Sequence, residues 1–367
     1  MRAGRVRQAA RLAPFLIVCW TVAAFLAANV SGIAWTDFGG LDIQTAGTWQ
    51  LLTRSLLVGM LVGLMSAWLE TTVLPRPMRR LPLWGALLLR TLAYVVAVEL
   101  AMVIVMGGLG YLIGGLTPSE LVAAPVFREF VQSGMLGRFM VFLLASSFVI
   151  NLLLQLRRVL GPATLIALFL GTYRRPRREE RAFAFLDLTD STAWAERLGP
   201  LQFTDFKNDF FADVAEPVLA TGGRIVQYVG DEVMVSWPMK RAVETAAPLR
   251  FYFLVEDRVA QRAERCRSRY GDVPRFKAGV HGGWVVTAEV GDLKRDIVHS
   301  GDVVNTAARI EGECRPRGHR LLVSRELADR MRLSDEVSLT HLGEAALRGK
   351  SEPVRLCVAE RVGLAEA

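Results

Sequence analysis

Two aspartates occupy sequence positions that folding could bring together at one metal site. Asp187 ends an apolar run, and Asp231 follows Gly230 between two β-rich runs, Arg224 to Val229 and Glu232 to Trp237. Gly-Asp between such runs predicts a two-residue hairpin turn, because glycine tolerates the positive φ that a tight turn needs. A strand end and a hairpin tip can bring two carboxylates together. Magnesium binds through few carboxylates and leaves positions open for substrate phosphates, so the pair is a candidate Mg²⁺ site.

The same two residues have a simpler structural interpretation. Asp187 could cap a helix that begins near Ser191, and Asp231 could serve only to form the turn. For an isolated pair of aspartates, this simpler interpretation would be preferred. The motifs around them favour the functional one.

Five motifs follow one another in the second half of the chain. They are FLDLTDST, QYVGDEVMVSWP, FKAGVHGGWVVTAEVG, HSGDVVNTAARIEG and LRGKSEPVRL. This succession, from about Arg181 to Ala359, resembles the catalytic domain of class III nucleotidyl cyclases. The resemblance implies an α+β, palm-like (ferredoxin-like) fold that makes a 3′,5′-cyclic nucleotide and pyrophosphate from a nucleoside triphosphate.

The resemblance also implies roles for individual residues. Asp187 and Asp231 would hold two Mg²⁺ or Mn²⁺ ions, with the backbone carbonyl of Leu188 as a further ligand. Asn305 would orient the ribose, and Arg309, four residues later on the same helix face, would stabilise the transferring phosphoryl group. Arginine suits this task because its planar fork binds phosphoryl oxygens bidentately. No residue stands out as a general base.

Substrate-binding positions depart in part from the family pattern. Arg348 and Lys350 in LRGK resemble the basic pair on the polyphosphate, with Arg348 the better match and Lys294 a weaker candidate. Gln227 and Val298 occupy the positions at which members of the family recognise the nucleotide base. Glutamine can pair with adenine or guanine, whereas valine offers no side-chain hydrogen bond. ATP is therefore expected as the substrate only because it is the common substrate of the family, and GTP remains an alternative.

The first half of the chain is rich in apolar residues, and it predicts a membrane domain. A spanning helix needs about 20 mostly apolar residues. Four segments meet this requirement: Ala13 to Ile33, Leu56 to Leu74, Ala86 to Leu112 and Phe139 to Leu156. Arginine clusters flank them, which accounts for the net charge of +8 without nucleic-acid binding. By the positive-inside rule both termini are cytoplasmic, and the protein is a multi-pass protein of the plasma (inner) membrane.

Ionisable residues inside the spans raise separate questions. Arg90, near the cytoplasmic end of its span, is expected to snorkel toward the interface. Glu99 lies mid-span, where an ionisable group is a functional hypothesis by default. Its simpler interpretation is an interhelical hydrogen bond or a neutral acid inside the bundle.

The expected organisation has four parts: 1–158, a domain of four transmembrane helices; 159–180, an interfacial helix and basic linker; 181–360, the catalytic domain; and 361–367, a tail. The linker could transmit movement or simply rest on anionic lipid. Four scattered cysteines with no CxxC spacing predict neither disulfides nor a zinc site. In the linker, Pro162 suits a helix start.

Within the catalytic domain, Leu201 to Ala220 shows an apolar stripe at helical spacing, formed by Phe203, Phe206, Phe210 and Val214, and this stripe is expected to pack in the core. A further helix is expected around Ala242 to Ser268. Gly282-Gly283 predicts a turn between strands Phe276 to His281 and Trp284 to Val290. His281, beside that turn, is given no catalytic role.

Together these features predict a membrane-anchored adenylate cyclase that acts in intracellular signalling. The resemblance implies a homodimer through the catalytic domain, with each active site shared by two chains. A guanylate cyclase and a catalytically silent nucleotide-binding module are the alternatives. A diguanylate cyclase is disfavoured, because VNTAAR is present and a GGDEF-like loop is absent.

Overall fold

The computed structural model describes residues 2–30, 48–74, 81–114, 117–123, 132, 135–293, 295–350 and 352–362. The chain divides into two compact units, Met1–Leu165 and Ile166–Ala367. The helices of the first unit are α1 (Arg2–Val30), α2 (Thr48–Thr72), α3 (Leu83–Gly114), α4 (Pro118–Ala123) and α5 (Met135–Leu160). A short helix, α6 (Pro162–Phe169), follows and begins at the proline that the sequence suggests as a helix start.

Two of the predicted spans, Ala86 to Leu112 and Phe139 to Leu156, fall within α3 and α5. The span Leu56 to Leu74 extends two residues beyond the end of α2, and the last residues of the span Ala13 to Ile33 lie outside the described residues, after the end of α1. Among the described residues, two segments are long and apolar enough to cross a membrane, Ser55–Thr72 and Gly137–Leu160. A shorter apolar stretch, Leu12–Ala27, lies in α1. Four long helices are therefore present, while four membrane crossings stay a prediction.

Helices α1 and α2 approach closely at two glycines. A Cβ atom on Gly59 would lie 2.6 Å from the backbone of Thr21, and one on Gly63 would lie 2.7 Å from the backbone of Ile17. Small residues four apart allow helix backbones to meet in this way. The contact excludes larger side chains from both positions.

Glu70 on α2 is the centre of a polar cluster inside the helical unit. Its side chain is fully buried and accepts a hydrogen bond from the Tyr94 hydroxyl at 3.1 Å. Arg90 Nε lies 3.6 Å and Arg158 Nη2 2.5 Å from the Glu70 carboxylate. The predicted snorkelling of Arg90 is therefore wrong, because its partner on α2 holds it inside the bundle. Glu99 Oε1 has no hydrogen-bond partner among the described residues.

The second unit is built on one mixed sheet. Its strands are β1 (Arg177–Leu188), β2 (Arg224–Val229), β3 (Glu232–Pro238), β4 (Phe276–Val290), β5 (Asp296–Ser300), β6 (Leu321–Ser324), β7 (Val337–Ala345) and β8 (Val354–Arg361). Their order is β2-β3-β1-β4-β6-β8-β7, with β5 paired to β4. The β4 and β6 strands are parallel, and the other pairs are antiparallel. This sheet and its helices match the predicted α+β class.

Helices cover the sheet and form the core with it. They are α7 (Ser191–Thr221), α8 (Met239–Thr245), α9 (Ala247–Gln261), α10 (Ala263–Tyr270), α11 (Asp302–Gly312) and α12 (Arg325–Ala328). The predicted apolar stripe of α7 is confirmed, since Phe206, Phe210 and Val214 are buried in the main core. The single helix expected over Ala242 to Ser268 is wrong, because Ala246, at φ 44, separates α8 from α9.

The predicted turn at Gly282-Gly283 is also wrong, because β4 runs unbroken through both residues. They pair with Ala182 and Arg181 of β1. A Cβ atom on Gly282 would lie 2.7 Å from Met239 Cε, and one on Gly283 would lie 2.9 Å from Val303 Cγ2. These glycines therefore accommodate side chains packed against the strand, and they do not reverse its direction.

Gly279 of β4 sets the distance between the sheet and α11. A Cβ atom there would lie 2.5 Å from the Cα of Glu311 and 2.6 Å from the carbonyl oxygen of Ala307. The helix backbone therefore lies directly on the strand backbone. Any side chain at this position would push α11 away from the sheet.

We predict that Gly279→Ala lowers the free energy of unfolding by about 3 kcal/mol, the upper part of the range for overpacked cores, because the colliding atoms are backbone. Denaturant unfolding of the purified chain measures this loss. Gly312→Ala, at the end of the same helix, is the matched control, because a Cβ there meets nothing within 4 Å. Equal stability of both variants would contradict the prediction.

Candidate active site

Asp187 lies near the end of the central strand β1, between two charged neighbours. Its Cα pairs with Glu232 on β3 and with Lys277 on β4. The predicted hairpin is confirmed, since Gly230 and Asp231 form the two-residue turn between β2 and β3, with Gly230 at φ 64. The pairing of β1 with β3 brings that turn to the end of β1 where Asp187 lies. Asp187 does not cap the following helix, whose N-cap residue is Asp190.

The carboxylates at this end of the sheet repel one another. Burial, then Asp231 and Glu311, raise the pKa of Asp187 to about 6, against the opposing effect of Lys277. Burial, then Glu311, Asp187 and Asp231, raise the pKa of Glu232 to about 7. Strongly perturbed carboxylates of this kind are typical of functional sites. We call these four residues, Asp187, Asp231, Glu232 and Glu311, the acidic cluster.

Lys277 is a part of the site that the sequence reasoning missed. Its Nζ lies 3.4 Å from Asp187 Oδ2 and 2.5 Å from Glu311 Oε1. Alternation along the predicted strand Phe276 to His281 could have placed Lys277 and Gly279 on one face. No local pattern indicates which carboxylates that face would meet.

The donor set fits a divalent ion that also binds substrate. Within the described ranges, no three His, Cys, Asp or Glu side chains converge on one point, so these residues offer no complete cage for a metal ion. Mg²⁺ typically uses one or two carboxylates and keeps waters or phosphates in its other positions. The Leu188 side chain is apolar and packs in the main core, so this residue can offer a metal ion only its backbone carbonyl.

Helix α11 carries Asn305 and Arg309 away from its packed face. Its buried residues, Thr306, Ala307, Ile310 and Glu311, face the sheet, whereas Asn305 is exposed and Arg309 is half-buried. Arg309 Nη1 has no hydrogen-bond partner in the described part of the chain. A Cβ on Gly349 would lie 3.4 Å from Arg309 Nη2, which places Arg309 beside the predicted phosphate-binding segment.

The predicted phosphate-binding residues differ in their surroundings. Lys350 Nζ lies 2.8 Å from Asp302 Oδ2 at the start of α11, and this contact lowers the pKa of Asp302. Arg348 is exposed. Lys294 lies outside the described residues. Arg348 is therefore the better placed of the described pair to meet a free polyphosphate.

The two predicted base-reading residues lie on strands that do not pair. Gln227 is exposed on β2, and Val298 is 40% exposed on β5. Strand β5 pairs with β4, whereas β3 and β1 lie between β2 and β4. Their roles stay predictions.

His281 has a structural environment. It is buried, its Nδ1 lies 2.7 Å from the Ser324 hydroxyl, and burial lowers its pKa to about 4. A neutral histidine held between strands β4 and β6 fits the absence of a catalytic assignment.

Comparison with known proteins identifies similar sequences and folds. The family model described as "Adenylate and Guanylate cyclase catalytic domain" matches residues 174–359. Adenylate cyclase 2 of Rhizobium meliloti is 40% identical over 256 residues, which cover 69% of this chain and 70% of that protein. Adenylate cyclase 1 of the same organism is 30% identical over 52% of this chain, but the match covers 28% of its own length. The crystal structure of the adenylyl cyclase CyaB from P. aeruginosa aligns with a TM-score of 0.45 and 23% identity, over 51% of this chain and 96% of that chain.

We predict that Asp187→Asn stabilises the metal-free protein at neutral and alkaline pH. The folded-state pKa of Asp187 is raised from 3.8 to about 6, so its charged form destabilises the fold above that pH, by up to about 3 kcal/mol. The variant removes this cost. Its advantage should disappear as the pH falls toward about 4, where the wild-type carboxyl is also neutral in the folded state.

The measurement is denaturant unfolding of both proteins in the presence of a chelator, across this pH range. Asp205→Asn is the control, because this exposed carboxylate lies outside the acidic cluster. A variant less stable than wild type at about pH 8, where the carboxylates are charged, would contradict the electrostatic account.

Proposed function

The chain belongs to the adenylate and guanylate cyclase catalytic domain family and is a nucleotidyl cyclase; we propose that it is a membrane-anchored, homodimeric adenylate cyclase that acts in intracellular signalling. One observation carries this proposal. The Asp187 and Asp231 carboxylates lie within electrostatic reach of each other in one acidic cluster, and helix α11 presents Asn305 and Arg309. The similarity to Adenylate cyclase 2 favours ATP as substrate.

The proposed reaction is an internal displacement at the α-phosphorus of ATP. The 3′-oxygen forms a bond to phosphorus, the bond to the pyrophosphate oxygen breaks, and the hydroxyl proton passes to solvent or substrate oxygen. Arg309 balances the negative charge that grows on the phosphoryl oxygens. Asn305 positions the ribose, and Arg348 binds the polyphosphate. Divalent ions held by Asp187, Asp231 and the Leu188 carbonyl would supply further charge neutralisation.

The proposed site is shared between two chains. Among the described contacts of one chain, neither Asn305 nor Arg309 bonds to Asp187 or Asp231, and Arg309 keeps a buried nitrogen without a partner. A second copy related by two-fold symmetry could complete both sites at once. In that arrangement each site takes its aspartates from one chain and its Asn305 and Arg309 from the other.

The proposed location is the plasma membrane, with the catalytic unit in the cytoplasm. The two long apolar segments support membrane association. The arginines that flank the four helices support cytoplasmic termini. The lipid bilayer is then a partner of the helical unit.

We predict that the purified chain converts ATP to 3′,5′-cyclic AMP faster than it converts GTP to cyclic GMP. Product identification by mass spectrometry, with Mg²⁺ or Mn²⁺ present, tests this. Faster turnover of GTP would replace the adenylate assignment with a guanylate one. Absence of any cyclic product in a folded, metal-supplemented protein would favour the silent module. Val298→Asp tests whether the missing polar group limits selectivity between the two bases.

We predict that reporter fusions after Trp49, Pro77, Pro118 and Ala367 report outside, inside, outside and inside. The reason is the arginine asymmetry around the four helices. Each position is fused to two reporters in turn, one active only outside the membrane and one active only in the cytoplasm. Each reporter is then the control for the other. An extracytoplasmic C-terminus would overturn the topology.

We predict that two inactive variants complement each other when co-expressed. Asp187→Ala removes a metal ligand and Arg309→Ala removes transition-state charge stabilisation, so each homodimer should lose about 10²–10³ in rate. In a mixed dimer one site receives both defects and the other receives none. Random mixing makes about half of the dimers mixed, so co-expression should recover roughly a quarter of wild-type activity.

The control is co-expression of Asp187→Ala with Asp231→Ala. In that mixed dimer each site carries one defect in its metal ligands, so recovery is not expected. If Asp187→Ala and Arg309→Ala chains form mixed dimers that stay inactive, the shared-site arrangement is wrong.

A further inference from the structure

Lys277 lies inside the acidic cluster, between a proposed metal ligand and helix α11. Its side chain is 18% exposed, and that of Glu311 is 10% exposed. The ammonium group contacts both the Asp187 and the Glu311 carboxylates. Removal of Lys277 would therefore leave these two negative groups without this shared cation.

Strand register explains why this contact is fixed. Lys277 lies directly across from Asp187 in the antiparallel pair β1 and β4. Gly279, two residues further along β4, lies on the same face of the sheet, and there the backbone of Glu311 rests on the strand. The close approach that Gly279 permits thus brings the Glu311 carboxylate to Lys277.

Negative charges outnumber the single positive charge of Lys277 in and around the acidic cluster. Four carboxylates lie within electrostatic reach of one another, and the ion pairs described for Asp187 and Glu311 both involve Lys277. A partly buried cluster with excess negative charge attracts cations strongly, because the low dielectric constant of its surroundings strengthens each interaction. One fixed ammonium group lowers that attraction and also occupies carboxylate oxygens that a metal ion could otherwise use.

We propose that Lys277 is a positioning residue that keeps metal affinity low until nucleotide is bound. The inference rests on the proposed function, because it takes Asp187 and Asp231 as metal ligands. Lys277 holds Glu311 against the sheet and away from the ion, so that two carboxylates and not three are available. Phosphate oxygens of the substrate then provide the ligands that the protein withholds.

A purely structural ion pair makes a different prediction. Loss of a buried partner destabilises the fold, because the remaining charge is left uncompensated. If stability were its whole role, and its charge did not act on the metal site, the loss of Lys277 would leave Mn²⁺ affinity unchanged. Metal affinity in the absence of nucleotide therefore separates the two roles.

The experiment measures Mn²⁺ binding to the full-length, nucleotide-free protein in lipid nanodiscs, by electron paramagnetic resonance of the free ion. It is performed at about pH 8.5, where carboxylates are ionised. We expect Lys277→Met to lower the dissociation constant for Mn²⁺ by about tenfold or more, because a positive charge leaves the site. Lys277→Arg keeps the charge, so its affinity should stay near that of wild type.

Two further variants complete the test. Glu311→Gln removes a negative charge with little change of shape, so it should raise the dissociation constant. Lys240→Met is the matched control for loss of a lysine, because Lys240 is 84% exposed, and its affinity should not change. Thermal unfolding checks that each variant is folded.

The proposal is overturned if folded Lys277→Met binds Mn²⁺ no more tightly than wild type. If that variant does not fold, unchanged binding by Glu311→Gln overturns it equally. Cyclic nucleotide synthesis by the wild type is measured in parallel. If the wild type makes cyclic nucleotide but the variants bind Mn²⁺ as tightly as the wild type does, only the role of Lys277 is rejected. If the variants change Mn²⁺ affinity as expected but the wild type makes no cyclic nucleotide, only the proposed function is rejected.

Discussion

The pairing of β1 between β3 and β4 is the constraint on which the catalytic unit depends. It puts Asp187 opposite Glu232 on one side and opposite Lys277 on the other. Because side chains alternate along a strand, a slip of one residue would exchange the faces of Asp187 and its buried neighbours Leu186 and Leu188. Burial of those leucines in the core therefore also fixes the direction of the Asp187 carboxylate.

This arrangement places repelling charges together at some expense of stability. Asp187 and Glu232 both bind protons more tightly than exposed carboxylates, with burial as the first cause and neighbouring carboxylates as the second. Burial of the hydrophobic core offsets this cost. The core includes the side chains of Phe206, Phe210 and Trp237, each at most 1% exposed. A fold selected for stability alone would not need this cluster, which supports the proposal that it is part of the active site.

The sequence was sufficient where local chemistry decides the structure. The Gly230-Asp231 turn, the apolar stripe of α7 and the helix that carries Asn305 and Arg309 all follow from patterns a few residues long. It was insufficient where distant neighbours decide. Gly282-Gly283 looked like a turn, but Met239 and Val303 occupy the space beside it. Arg90 looked free to reach the interface, but Glu70 lies across from it on α2.

Helix α11 shows both what local sequence predicts and what only contacts between distant residues reveal. Its local pattern separates Arg309, on the half-buried side, from Glu311, which faces the sheet two residues later. Only the packed structure reveals that Glu311 meets Lys277 and, through it, Asp187. In a dimer with shared sites, Arg309 would serve one site and Asp187 of the same chain the other. The Lys277 contacts would then connect the phosphate-binding half of one site with the metal-binding half of its neighbour, so a shift of α11 would alter both.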